Sequence, residues 1–102
     1  MDYNLTMNKR LFLDSIMRDR SYPDAGKALY DAILLCSDCD KIILDFNGIS
    51  SVPSMFLNVS IGRLISERGV AFIKGKIGFS NITASQVQRI KEYVDRFDNS
   101  VS

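Results

Sequence analysis

Between Lys41 and Gly69 the chain reads KIILDFNGISSVPSMFLNVSIGRLISERG, and this stretch constrains the fold more than any other. Ile42, Ile43, Leu44 and Phe46 follow one another with hardly a polar break, the pattern of a strand covered on both faces, so a central strand is expected here. Asn47-Gly48 ends it. Ile49-Ser50-Ser51-Val52-Pro53 then leads into a helical pattern with Leu57, Ile61, Leu64, Ile65 and Arg68 on one side. Pro53 keeps Val52 extended and is tolerated only in a first helical turn, which places the helix start near Ser54. In open sheets of this kind, ligands and partners meet the chain beyond the carboxyl end of a strand. The loop from Gly48 to Ser54 is that place.

The flanking segments read as packing partners. Tyr3, Leu5 and Met7 alternate with polar residues and suggest a short strand at the sheet edge. From Lys9 to Met17 the pattern suggests a loop or one to two helical turns. Ser21 followed by Pro23 and Asp24 is a helix start, and Ala25, Ala28, Leu29, Ala32, Ile33 and Cys36 trace its apolar stripe. Gly69 suits a helix end, Val70-Ala71-Phe72-Ile73 reads as the next strand, and Lys74-Gly75-Lys76 as a bulge before Ile77-Gly78-Phe79 continues it. A right-handed crossover makes that strand parallel to the first. Thr83 and Gln86 form a capping-box pair, opening a last helix with Val87, Ile90, Val94 and Phe97 on its buried side. The expected fold is α/β: a mixed central sheet with about three packed helices, at 21–36, 54–68 and 83–97, in a single domain over 1–102 whose core spans about 20–97.

Composition removes several functions. With 13 Lys plus Arg against 12 Asp plus Glu, nothing suggests a nucleic-acid partner. No run reaches the roughly 18–20 apolar residues of a membrane span, and the first residues lack the order of a signal peptide, so a cytoplasmic location with no membrane contact is expected. The sequence contains no His, which withdraws the usual general base, metal ligand and pH switch together. A non-enzymatic protein without cofactor or metal is therefore expected.

Cys36-Ser37-Asp38-Cys39 matches C-x-x-C, but a reactive thiolate is favoured at a helix N-terminus, whereas Cys36 lies at a C-terminus beside Asp38 and Asp40. Cys36 reads as core and Cys39 as a passenger; the remaining reading is half a zinc site shared by two copies. Gly48-Ile49-Ser50 resembles the start of a nucleophile elbow but lacks its second Gly and any His. Lys74-Gly75-Lys76 lacks P-loop spacing. Arg18-Asp19-Arg20 reads as a salt-bridged surface, with Arg20 as a partner contact in the sharper reading.

Ser54, Asn58, Gly62 and Ser66 recur every four residues and form one small, uncharged stripe. Gly62 inside a helix costs about 1 kcal/mol relative to Ala, so something wants close approach there. Two readings stand: contact with a neighbouring helix of the same domain, or an exposed face on which another protein lies.

The segment Ile43-Leu44-Asp45-Phe46-Asn47-Gly48-Ile49, running into Val52-Pro53-Ser54-Met55-Phe56-Leu57, resembles the STAS-like domains, and most of all a small bacterial and phage group of unknown function related to anti-sigma-factor antagonists. The resemblance implies a regulatory module that docks on a kinase-like ATPase and is switched by phosphorylation at the position Ser54 occupies. Where the antagonists have Asp-Ser-Ser/Thr-Gly-Leu this chain has Pro53-Ser54-Met55-Phe56-Leu57, so the preceding acid and the following Gly are absent. On this reading Ser50, Ser51, Ser54, Asn58, Gly62, Ser66 and Arg20 form the partner surface. The alternative is a small phage or mobile-element inhibitor that blocks a host enzyme; a weaker third is an enzyme subunit completed by a partner's His or metal. A homo-oligomer is compatible with any of these.

Overall fold

The chain runs β1 (Asn8–Phe12), α1 (Leu13–Met17), α2 (Tyr22–Leu35), β2 (Lys41–Asp45), α3 (Ser54–Val59), α4 (Ile61–Arg68), α5 (Val70–Lys76), β3 (Ile77–Ser80) and α6 (Ala84–Ser100) in a computed structural model that describes residues 7–100. The strands form one sheet in the order β1-β2-β3, and both pairs are parallel. The strand after Lys41 is thus central. Among the described residues the sheet is parallel throughout rather than mixed. Tyr3 and Leu5, read as an edge strand, lie outside the described residues; the edge strand is Asn8–Phe12, in a segment where a loop or helical turns were expected.

Side chains alternate along a strand. With Leu11 beside Leu44 and Leu44 beside Phe79, the residues Leu11, Ile42, Leu44, Phe46, Ile77 and Phe79 share one face. There they join Leu29, Ile33, Phe56, Leu57, Leu64, Ile90 and Val94 in one apolar core, with Phe79 at its margin. Each fully buried side chain of this size contributes roughly 1.5–3 kcal/mol. The other face is different: Arg10, Phe12 and Lys41 are exposed and Ile43 is half-buried. β2 is therefore not covered on both faces, contrary to the reading of its unbroken apolar run. Ile43 finds partial cover against Gly78, where a Cβ would stand 3.0 Å from its Cδ1.

The helices follow their local signals closely at the ends. Ser21 caps α2 by accepting the Asp24 N–H at 3.2 Å, with Pro23 in the first turn. Thr83 Oγ1 accepts the Gln86 N–H (3.1 Å) while Gln86 Oε1 accepts the Thr83 N–H (3.0 Å), a complete capping box.

The expected helix 54–68 is two helices. Ser60, wholly buried, donates its hydroxyl to the Phe56 carbonyl at 2.8 Å and stands at φ −113°, ψ −87°. A serine that bonds back to the preceding turn competes with the backbone ladder and bends the helix. The expected strand Val70–Ile73 is also helical, as α5, and no bulge occurs at Lys74–Lys76. Val70 and Ile73 fall at i and i+3, so a helical period fits this short run as well as an extended one, and in the fold Ile73 is buried with Val70 packed against the same core. Val87, expected on the buried side of α6, is 45% exposed.

Candidate functional site

β2 ends on Asp45, a carboxylate in a residue only 3% exposed. A buried charge must be matched by hydrogen bonds and opposite charge. Asp45 accepts from Arg10 Nη1 (2.7 Å), from the Asn47 N–H (2.9 Å) and from Asn81 Nδ2, 3.1 Å from each oxygen. Arg10 Nη1 also donates to Ser80 Oγ at 2.7 Å, so one carboxylate ties together β1, β2 and β3 at their carboxyl ends. Asn81 stands at φ +52°, a left-handed conformation that Asn adopts more readily than most residues. The Asn47 N–H, then the Asn81 amide and Arg10, hold the Asp45 carboxyl below the ordinary range against the opposing effect of burial. Its oxygens are engaged, so Asp45 anchors the sheet end and is not poised to react.

Beyond Asp45 the chain turns with the Ile49 N–H donating to the Phe46 carbonyl at 2.9 Å. Gly48 takes φ +84° at the third position of this turn, as a type II turn requires. The rest of the loop is held from α6. Gln86 Nε2 donates to the Ile49 carbonyl (2.8 Å), and Arg89 donates through Nε to the Val52 carbonyl (3.0 Å) and through Nη2 to Ser54 Oγ (2.9 Å).

Between this loop and the start of α2 opens a cleft of about 580 Å³. It brings together Arg20, Ser50 and Ser51, three of the residues expected at a partner surface. Arg20 Nη1 donates to the Ile16 carbonyl at 2.6 Å, and Arg18 pairs with Asp14 at 2.6 Å. Tyr22 and Met55, 46% and 56% exposed, line the same cleft. Ser54 is not in it; its exposed hydroxyl faces Arg89 instead.

The stripe goes elsewhere. Asn58, Gly62 and Ser66 line a shallow hollow with Tyr93 and Phe97 of α6. Gly62 is buried, and a Cβ on it would stand 2.3 Å from Tyr93 Oη and 3.3 Å from Phe97 Cζ. Tyr93 donates to Asn58 Oδ1 at 2.6 Å. Gly62 is therefore not an exposed contact: the small side at this position admits an aromatic ring from the same domain. Burial raises the Tyr93 pKa, with Arg96 and Arg89 opposing, so the phenol remains a donor. On the adjoining side Tyr30 donates to Glu67, which raises the tyrosine's pKa and lowers the acid's, while the Arg63 guanidinium lies 3.9 Å from the Tyr30 ring centre.

The remaining candidates fall at the opposite end of the sheet. Cys36 is buried, and burial followed by the neighbouring Cys39 pushes its thiol up, away from the thiolate. Lys76 donates to the Ser37 carbonyl at 2.6 Å, tying α5 to the turn that follows α2. Among the described residues no three His, Cys, Asp or Glu side chains gather as a metal site would need, and no helix is long and apolar enough to cross a membrane.

Sequence reasoning missed Arg10, Asn81 and Arg89, and read Asp45 only as part of the family motif. The visible signal was Asp45 itself, an acid set inside the apolar run of the central strand; Arg89 offered none, because its partners lie far away in the chain.

No curated protein and no solved structure matches the chain. The family model described as a STAS-like domain of unknown function (DUF4325) matches residues 25–87, which run from the first turn of α2 through the loop, α3 to α5 and β3 to the start of α6. With more than half of its length matched, the chain belongs to this STAS-like family.

Proposed function

We propose that this protein is a regulatory module that works by binding another protein, and that the partner docks in the cleft lined by Arg20, Tyr22, Ser50, Ser51 and Met55. The observation that carries the reading is the pair of large apolar side chains, Tyr22 and Met55, left exposed in one cleft at the carboxyl end of the sheet. Exposed apolar side chains beside an arginine and hydroxyls are what a docking site offers, since aromatic and Met side chains supply area and Arg supplies orientation. The loop that forms one wall is fixed in advance by Gln86 and Arg89, which lowers the ordering cost of binding. The resemblance to the antagonists makes a kinase-like ATPase the first partner class to try.

Ser54 supports a switch beside this site. Its hydroxyl is exposed and hydrogen-bonded to Arg89, so a phosphate there would meet a guanidinium and leave the fold intact while adding about two negative charges next to the cleft. Parallel co-purifications from the source cells test both points. A protein retained by the wild type and by Asp38→Asn, but lost from Met55→Glu and Ser51→Arg, supports cleft docking. Equal recovery by all four excludes it. A partner that ignores Ser54→Asp, and whose own enzymatic activity is blocked on binding, would favour the inhibitor reading over the switch.

A further inference from the structure

Among the described residues, the two outer strands of the sheet are not alike. β1 carries Lys9 and Arg10 along its edge, and charged side chains on an edge oppose pairing with another strand. β3, with Ile77, Gly78, Phe79 and Ser80, carries no charge at all. The Ser80 carbonyl accepts from the Phe46 N–H, so Gly78 and Ser80 turn their backbone groups toward β2 and Ile77 and Phe79 turn theirs outward. The Ile77 N–H closes α5 by donating to the Ile73 carbonyl. The Phe79 N–H and C=O and the Ile77 C=O point away from the sheet, with no partner among the described residues.

Alongside this edge runs a largely apolar groove of about 440 Å³, walled by Ile73, Lys74, Ile77 and Phe79 on one side and by Val87, Ile90 and Val94 of α6 on the other. Val87, half in water, stands in its wall. Lys91 and Asp95 also line it and pair with neither each other nor any other described residue. Opposite charges one helical turn apart on one helix are self-complementary: when two such helices lie antiparallel across a two-fold axis, each lysine meets the other's aspartate.

We infer that the β3 edge and the groove beside it form a symmetric interface with a second copy of this chain, in which β3 pairs antiparallel with its copy and α6 lies antiparallel to its copy. The outward Phe79 and Ile77 groups then exchange hydrogen bonds across the axis, extending the sheet. Val87 enters the apolar seam and leaves water. Lys91 pairs with Asp95 of the second copy at both ends. The surface is separate from the cleft assigned to the partner and does not depend on that assignment. A short edge and a small groove make a weak dimer.

Sedimentation equilibrium of the purified full chain, from low micromolar to near-millimolar concentration, tests this. The wild type should shift reversibly from monomer to dimer. Val87→Arg, at an already exposed position, should remain monomeric with an unchanged circular dichroism spectrum. Lys91→Asp and Asp95→Lys should each weaken the dimer by about tenfold or more, because a symmetric contact turns two attractions into repulsions; the two changes combined should restore most of it. A monomer at every concentration overturns the inference. So does a dimer indifferent to Val87→Arg, or single reversals that the combined variant fails to rescue.

Discussion

The cleft at the carboxyl end of the sheet and the hollow between α4 and α6 are both concave and both contain small polar residues, yet they are built by opposite means. In the hollow an aromatic ring from α6 has already come to rest on Gly62, so the closest approach the stripe permits is spent inside the domain. In the cleft the small residues Ser50 and Ser51 are flanked by Tyr22 and Met55, each about half exposed. Here the stripe of small residues serves close packing inside the domain, whereas the cleft leaves two large apolar side chains half in water.

Substitutions in the hollow should cost folding free energy, and those in the cleft should not. The largest effect is expected from Tyr93→Ala, which empties a buried aromatic site and leaves Asn58 without its donor; a loss of about 3–5 kcal/mol in denaturant unfolding is expected. A change below about 1 kcal/mol would mean that the ring is not packed as described. Gly62→Ala should follow, at about 1–3 kcal/mol, because its methyl meets the Tyr93 hydroxyl. Combining it with Tyr93→Phe, which removes the clashing oxygen, should cost less than the two single changes added together. Strict additivity would separate the two residues.

The sheet end that leads into the cleft's loop rests on a charge, and its sensitivity is to acid. The Asp45 carboxyl is held below its unfolded value by Asn47, Asn81 and Arg10. A depressed acid adds stability that is complete above the unfolded pKa, about 3.9, and is lost as pH falls through the lower folded value. The stability gap between the wild type and Asp45→Asn, followed by denaturant titration from neutral pH downward, should hold steady and then close below about pH 4. A gap that widens in acid would reverse the sign. The smallest effect belongs to the cleft rim, where Met55→Ala and Ser51→Ala should each shift stability by no more than about 0.5 kcal/mol.

Much of this was legible in the sequence wherever a local signal acts alone. Ser21 and Pro23 announced α2, the Thr83-Gln86 box announced α6, and the run after Lys41 marked the central strand. The reading failed where distant packing chooses between local options. Val70-Ala71-Phe72-Ile73 fits both periods, so four residues alone do not choose between helix and strand, and the fold makes them a helix with Ile73 in the core. Lys9 and Arg10 disguised β1, since a strand at an open face and edge can carry charges that a buried one cannot. Counting every fourth residue from Ser54 to Ser66 assumed one straight helix, and the buried Ser60 bends it. Of the expected partner surface, Arg20, Ser50 and Ser51 line one cleft, whereas Tyr22 and Met55 looked like ordinary helix residues until the fold left them half in water.

The central claim is that a protein partner meets the cleft and not the hollow, and photo-crosslinking from single positions in the source cells tests it most directly. Benzoylphenylalanine placed at Met55 lines the cleft, and placed at the exposed Ser66 lines the hollow. Irradiation should produce a covalent adduct with another protein from position 55 and none from position 66. An adduct from position 66 alone would contradict the account and return the partner surface to the stripe.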